Sequence, residues 1–136
     1  MRVLIADDSE VLVQRLVEAL AGMRGIEIVG EAGTVEEATR AACNLKPDVM
    51  ILDLAMPGGS GIDVLENLKR DRVTPIVIVF TNYSYVQYRE KCRQLGARFF
   101  FDKSAEFDKV GEVLAALGSV GVSRHSLPGN GEECSS

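Results

Sequence analysis

Five residues in this chain have the types and spacing to do chemistry together. The apolar run at the start of MRVLIADDSE ends abruptly in two adjacent acids, Asp7 and Asp8. A third acid, Asp53, interrupts DVMILDL, Thr81 ends PIVIVFT, and Lys103 ends RFFFDK. Three carboxylates brought to one place repel each other and force at least one pKa upward unless a cation joins them. Mg²⁺ suits such a set: it prefers oxygen ligands, keeps several waters, and shares its sites with phosphate oxygens. Lys103 offers a mobile point charge for a phosphate oxygen, and the Thr81 hydroxyl offers a donor for another. Asp53, placed among them, is the best candidate nucleophile for forming an acyl phosphate.

These residues converge only if the elements carrying them are neighbours. Short apolar runs at 3–6, 26–33, 48–54, 75–81 and 98–103 read as strands covered on both faces. The run at 26–33 is the weakest, as expected near a sheet edge. Helical patterns follow each strand. The first starts at Ser9 and carries Leu12, Val13, Leu16 and Leu20. The second starts at the capping-box signature Thr34-x-x-Glu37 and stops at Pro47. Residues 62–71 and 83–95 give the third and fourth, the latter with Gly96 as its C′ residue. Ser104 is expected to cap the last helix. Residues 55–61, AMPGGSG, read as a loop. Five βα units with right-handed crossovers predict a three-layer α/β sandwich on a parallel sheet, flavodoxin-like, with strand order 2-1-3-4-5. In that order the strands ending in Asp7–Asp8, Asp53, Thr81 and Lys103 are adjacent.

Composition sets the surroundings. A chain of 136 residues, 46% hydrophobic, is one domain's worth. A net charge of −5 argues against nonspecific binding to nucleic acid or anionic membrane. No apolar stretch is long enough to span a bilayer, and acids at position 7 interrupt any signal-peptide pattern, so a cytoplasmic location is expected. Cys43, Cys92 and Cys134 lack CxxC spacing and read as unpaired, core-filling thiols. Residues 118–136 hold four Gly and five Ser and no aromatic residue. They read as a flexible tail with no room for an output domain. The only histidine, His125, lies there and reads as a bystander, so a phosphodonor must come from another protein.

The motifs LIADDS, ILDLAMPGGSG, IVFTNYS and FFDKS, in this order over about residues 1–117, resemble the receiver domain of two-component response regulators, the CheY-like superfamily. The resemblance implies a phosphoprotein of a two-component system or phosphorelay, apparently a stand-alone single-domain regulator. It implies transfer of a phosphoryl group to Asp53 from a phosphohistidine of a sensor histidine kinase or histidine phosphotransfer protein. Mg²⁺ would be held by Asp8, Asp53 and the backbone carbonyl of Ala55, with Asp7 acting through water. Thr81 would move toward the phosphoryl group and Phe100 would rotate inward. That would remodel the helix 4–strand 5–helix 5 face for a downstream protein target or a homodimer, with no direct contact to nucleic acid or membrane. Such a protein catalyses only its own phosphorylation and dephosphorylation. Ala55 cannot serve as acid or base toward an attacking water, and Tyr83 can cover the site, so slow self-dephosphorylation is expected.

Other classes fit less well. A haloacid-dehalogenase-type phosphatase needs an acid two residues after its nucleophile, where this chain has Ala55. A flavodoxin relative needs a Ser/Thr-rich phosphate loop after strand 1, where this chain has acids. A receiver-like scaffold that is not phosphorylated is the leading alternative, and a receiver cut from a longer DNA-binding regulator is another. Arg89, Lys91 and Arg93 on helix 4 read first as a solvated face.

Overall fold

The computed structural model describes residues 1–119. Five parallel strands form one sheet: β1 (Arg2–Ala6), β2 (Glu27–Ala32), β3 (Val49–Leu52), β4 (Ile76–Thr81) and β5 (Phe99–Asp102). Five helices alternate with them: α1 (Glu10–Ala21), α2 (Val35–Leu45), α3 (Gly61–Arg70), α4 (Val86–Gln94) and α5 (Phe107–Ser119). The order across the sheet is β2-β1-β3-β4-β5, with β2 at an edge, as the alternation predicts. Because side chains alternate along a strand, each central strand feeds two cores. Leu4, Ala6, Met50, Leu52, Val77 and Val79 pack with α2, α3 and Cys92 of α4. Val3, Ile5, Val49, Ile51, Ile78 and Phe80 pack with α1 and α5. That two-sided burial is why these strands read as unbroken apolar runs.

The helix starts show how local chemistry sets each boundary. Ser9 caps α1, its hydroxyl accepting the Leu12 amide, which leaves Asp8 free of that duty. Thr34 caps α2, but Glu37 accepts the Gly33 amide rather than closing a full box on Thr34. A complete capping box occurs instead at Ser60 and Asp63, at the start of α3. The expected loop at 55–61 contains a two-residue antiparallel hairpin, Ala55–Met56 against Gly59–Ser60, too short to leave a periodic signal. Gly96 has φ 104 directly after the C-cap Leu95, as expected for a C′ glycine.

Two expectations need correction. Helix α4 begins at Val86, not 83, because the Tyr83 amide and Ser84 hydroxyl donate outside the helix and Tyr85 is its N-cap. Helix α5 begins at Phe107, and Ser104 does not cap it: its amide and hydroxyl both donate to Asp102. Cys92 is a free, fully buried thiol pushed up to about 11 by burial, and Cys43 is buried on α2 with its Sγ 3.8 Å from Asp71 Oδ2. Helix α5 also runs through Gly118 and Ser119, while the tail expectation for 120–136, with His125 and Cys134, lies outside the described residues.

Gly61, the first residue of α3, packs against the backbone that presents Asp53. Its amide donates to the Leu54 carbonyl, and a Cβ there would lie 2.4 Å from the Asp53 carbonyl oxygen and 3.0 Å from the Leu54 Cα. Backbone on both sides cannot yield as a flexible side chain would. Gly61→Ala is therefore expected to destabilise the fold by about 1–3 kcal/mol in urea unfolding, the usual cost of overpacking. Unchanged stability would mean that this approach is looser than it looks.

Candidate functional site

The carboxyl-terminal edge of the sheet gathers the five residues by main-chain continuity. The Asp7 amide donates to the Ala32 carbonyl, the Asp53 amide to Ala6, and the Lys103 amide to Thr81. Each functional residue thus extends the ladder of its strand by about one step before the chain turns away. Asp7 and Asp53 are buried, at 6% and 5% exposure, whereas Asp8 is exposed. Oxygens from Asp7, Asp8 and Asp53 all lie within 4.8 Å of one another.

Lys103 is held between two of these acids, its Nζ 2.6 Å from Asp7 Oδ2 and 2.9 Å from Asp53 Oδ2. The other Asp7 oxygen, Oδ1, accepts the Ser9 amide at 2.8 Å. Burial nevertheless pushes the Asp7 carboxyl above its ordinary value, because desolvation outweighs the help from Lys103 and Ser9. Burial works against the Lys103 ammonium as well, but its hydrogen bonds to Asp7 and Asp53 prevail and hold its pKa above the usual lysine value. One ammonium faces three carboxylates, so the cluster carries an excess of negative charge. Asp53 Oδ1 is buried with no hydrogen-bond partner. An orphaned anionic oxygen beside two further acids fits a hard divalent cation, so the donor set suits Mg²⁺.

Thr81 is fully buried, and its Oγ1 accepts the Tyr83 amide at 3.2 Å. Its hydroxyl proton remains available for donation. Phe100 lies on β5 opposite Val79, partly buried against the core beneath α2 and α3. The Arg89 guanidinium sits 4.7 Å from the centroid of its ring. Ala55 is half-buried and shares a cavity of about 330 Å³ with Leu54, Ser60, Ile62, Tyr83 and Tyr88. Arg93 pairs with Glu90 of its own helix, consistent with a solvated basic face on α4.

One residue at this edge escapes a reading of the sequence. Asp102 precedes Lys103, and its carboxylate accepts the Ser104 amide and hydroxyl on Oδ1 and the Ser84 hydroxyl on Oδ2. The signal was present, since Asp-x-Ser forms an Asx turn. The same pattern recurs in Asp7-Asp8-Ser9, where the Ser9 amide returns to Asp7.

Among the described residues no helix is long and apolar enough to cross a membrane. The chain is 40% identical over 102 residues to the transcriptional regulatory protein PdtaR of Mycobacterium tuberculosis, covering 75% of this chain but 49% of that protein. It thus spans about half the length of the curated relatives it matches. The response regulator domain of Thermotoga maritima CheB superposes with a TM-score of 0.76 at 28% identity, covering 88% of this chain and 94% of that one. A structure of a CheX–CheY–BeF₃–Mg²⁺ complex from Borrelia burgdorferi superposes with a TM-score of 0.75, also at 28% identity, covering 88% and 89%. The response regulator receiver domain family matches residues 3–115, which include every residue of the acidic edge. With its strand order and sheet-edge chemistry in agreement, this chain belongs to the response regulator receiver domain family.

Proposed function

We propose that the domain accepts a phosphoryl group on Asp53 from a phosphohistidine of a partner protein and signals through protein contacts. The observation that carries this reading is the buried, unpartnered Oδ1 of Asp53 beside an excess of carboxylates. An Asp53 oxygen attacks phosphorus, the phosphorus–nitrogen bond of the donor breaks, and the imidazole leaves with a proton from water. Lys103, already 2.9 Å from Asp53, neutralises charge on the incoming phosphoryl oxygens. The Thr81 hydroxyl, accepting from Tyr83, has its own proton to donate to another of those oxygens. Asp8, Asp53 and the Ala55 carbonyl would hold Mg²⁺ directly and Asp7 would act through water; bound there, the ion supplies positive charge to the phosphoryl oxygens. The Asp7 oxygens already serve Lys103 and Ser9 while Asp8 is exposed, which supports that division.

Phe100 would carry the change outward. Its ring lies between the core and the Arg89 guanidinium, so its movement would alter the α4–β5 surface. A downstream protein or a second copy would read that face, with the sensor kinase or phosphotransfer protein acting at the acidic edge. The length of PdtaR relative to this chain favours a second reading, in which such a receiver works within a larger transcriptional regulator.

Incubation with acetyl phosphate and Mg²⁺, followed by intact mass measurement, is expected to add one phosphoryl group to the wild type and none to Asp53→Ala. No addition to the wild type would favour a scaffold that is not phosphorylated. The lifetime of the adduct tests the rim. Ala55→Glu introduces a group able to orient water, and Tyr83→Ala opens the cavity beside Ala55. Each is expected to shorten the lifetime roughly 3–30-fold, less than the ~10²–10⁴-fold of a fully positioned acid–base group, because neither variant places a water as an evolved site would. Equal lifetimes would remove both residues from the account.

A further inference from the structure

We propose that Asp102 is a positioning residue that clasps together the two loops flanking Asp53 and so protects its acyl phosphate from water. The inference rests on the phosphoacceptor reading for its chemical consequence, but the clasp itself stands on geometry alone. Thr81 and Asp102 are register partners at the carboxyl ends of β4 and β5. The ladder between these strands ends with the Lys103 amide on the Thr81 carbonyl. Beyond it, one carboxylate spans the gap. Asp102 Oδ2 takes the Ser84 hydroxyl at 2.8 Å, while Oδ1 takes the Ser104 amide at 2.8 Å and the Ser104 hydroxyl at 2.6 Å. Ser84 belongs to the loop after Thr81, and Ser104 follows Lys103. The two loops that deliver the hydroxyl and the ammonium to the acceptor are thereby tied to one anion. The hydrogen bonds from Ser104 and Ser84 hold the Asp102 carboxyl below the usual carboxylate range, so it remains an ionised acceptor at neutral pH.

The loop it restrains has few other anchors. Helix α4 starts at Val86 with no side-chain cap from Tyr85, and Cys92 is its only buried residue. Tyr85 and Val86 are 60% and 73% exposed, so their side chains do not hold this end down. Besides the Ser84 bond, the Tyr83 amide donating to the Thr81 hydroxyl tethers this loop near the site. Tyr83 also walls the cavity beside Ala55. Releasing Ser84 therefore loosens the residue that covers the acceptor. The protected step is hydrolysis: a water oxygen bonds to phosphorus as the bond to the Asp53 oxygen breaks. It yields inorganic phosphate, the free carboxylate and a proton.

The test combines adduct lifetime with amide exchange in the unphosphorylated protein. Ser84→Ala and Asp102→Ala are expected to take up the phosphoryl group yet lose it roughly 3–10-fold faster than wild type. The double variant should lose it no faster than Asp102→Ala alone, and Ser84→Thr, which keeps the hydroxyl, should restore the wild-type lifetime. Exchange should quicken at residues 82–86 in both alanine variants and stay unchanged in β1 and β3. Labelled variants with wild-type lifetimes, or losses that multiply in the double variant, would overturn the proposal. If the wild type takes up no phosphoryl group, the acceptor reading fails separately and exchange decides the clasp. Faster exchange at 82–86 sustains it as a tether, and unchanged exchange removes it. Ser84→Ala alone carries both readouts should Asp102→Ala fail to fold.

Discussion

Two buried carboxylates and a third at the surface share a single ammonium at the carboxyl end of the sheet, and the rest of the structure is arranged around that imbalance. Lys103 bridges Asp7 and Asp53, but each bond it makes is to Oδ2, and Asp53 Oδ1 remains buried without a partner. Burying an anionic oxygen in this way costs free energy, normally recovered through pairing. On the proposed reading, retaining it suits the site to positive charge and to a group that brings its own oxygens to Lys103 and Thr81. Burial pushes the Asp7 carboxyl upward despite its bonds from Lys103 and Ser9.

The fold supplies the rigidity that this imbalance needs. β1 and β3 are paired strands with residues buried on both faces, so Asp7 and Asp53 are carried at the ends of the packed core. Lys103 and Thr81 come from β5 and β4, joined to each other by the ladder and then by Asp102. The close approach of Gly61 to the Asp53 carbonyl fixes the backbone on the other side. The β4–α4 loop and the start of α4 are more lightly anchored, with exposed tyrosines and few buried side chains.

Much of this was legible in the residues. Continuous apolar runs alternating with helical periods led directly to the sheet order, and the polar residues ending those runs marked the site. What escaped was local competition for hydrogen bonds. Ser104 looked like a helix cap, but Asp102, two residues before it, accepts both its amide and its hydroxyl, and α5 begins only at Phe107. Tyr83 and Ser84 looked helical, but their donors go to Thr81 and Asp102. The hairpin at 55–60 has strands of two residues, below the length at which alternation can be seen.

The proposed affinity for a divalent cation rests on the unpartnered Oδ1 of Asp53 beside Asp7 and Asp8. Thermal unfolding of the wild type and of Asp53→Asn across a Mg²⁺ titration tests it most directly. Asparagine keeps the shape and removes the charge. The wild type should gain stability with rising Mg²⁺, by about 2.7 kcal/mol at a hundredfold excess over Kd, and Asp53→Asn should gain far less. Parallel curves for the two proteins, or no Mg²⁺ dependence in the wild type, would contradict the account.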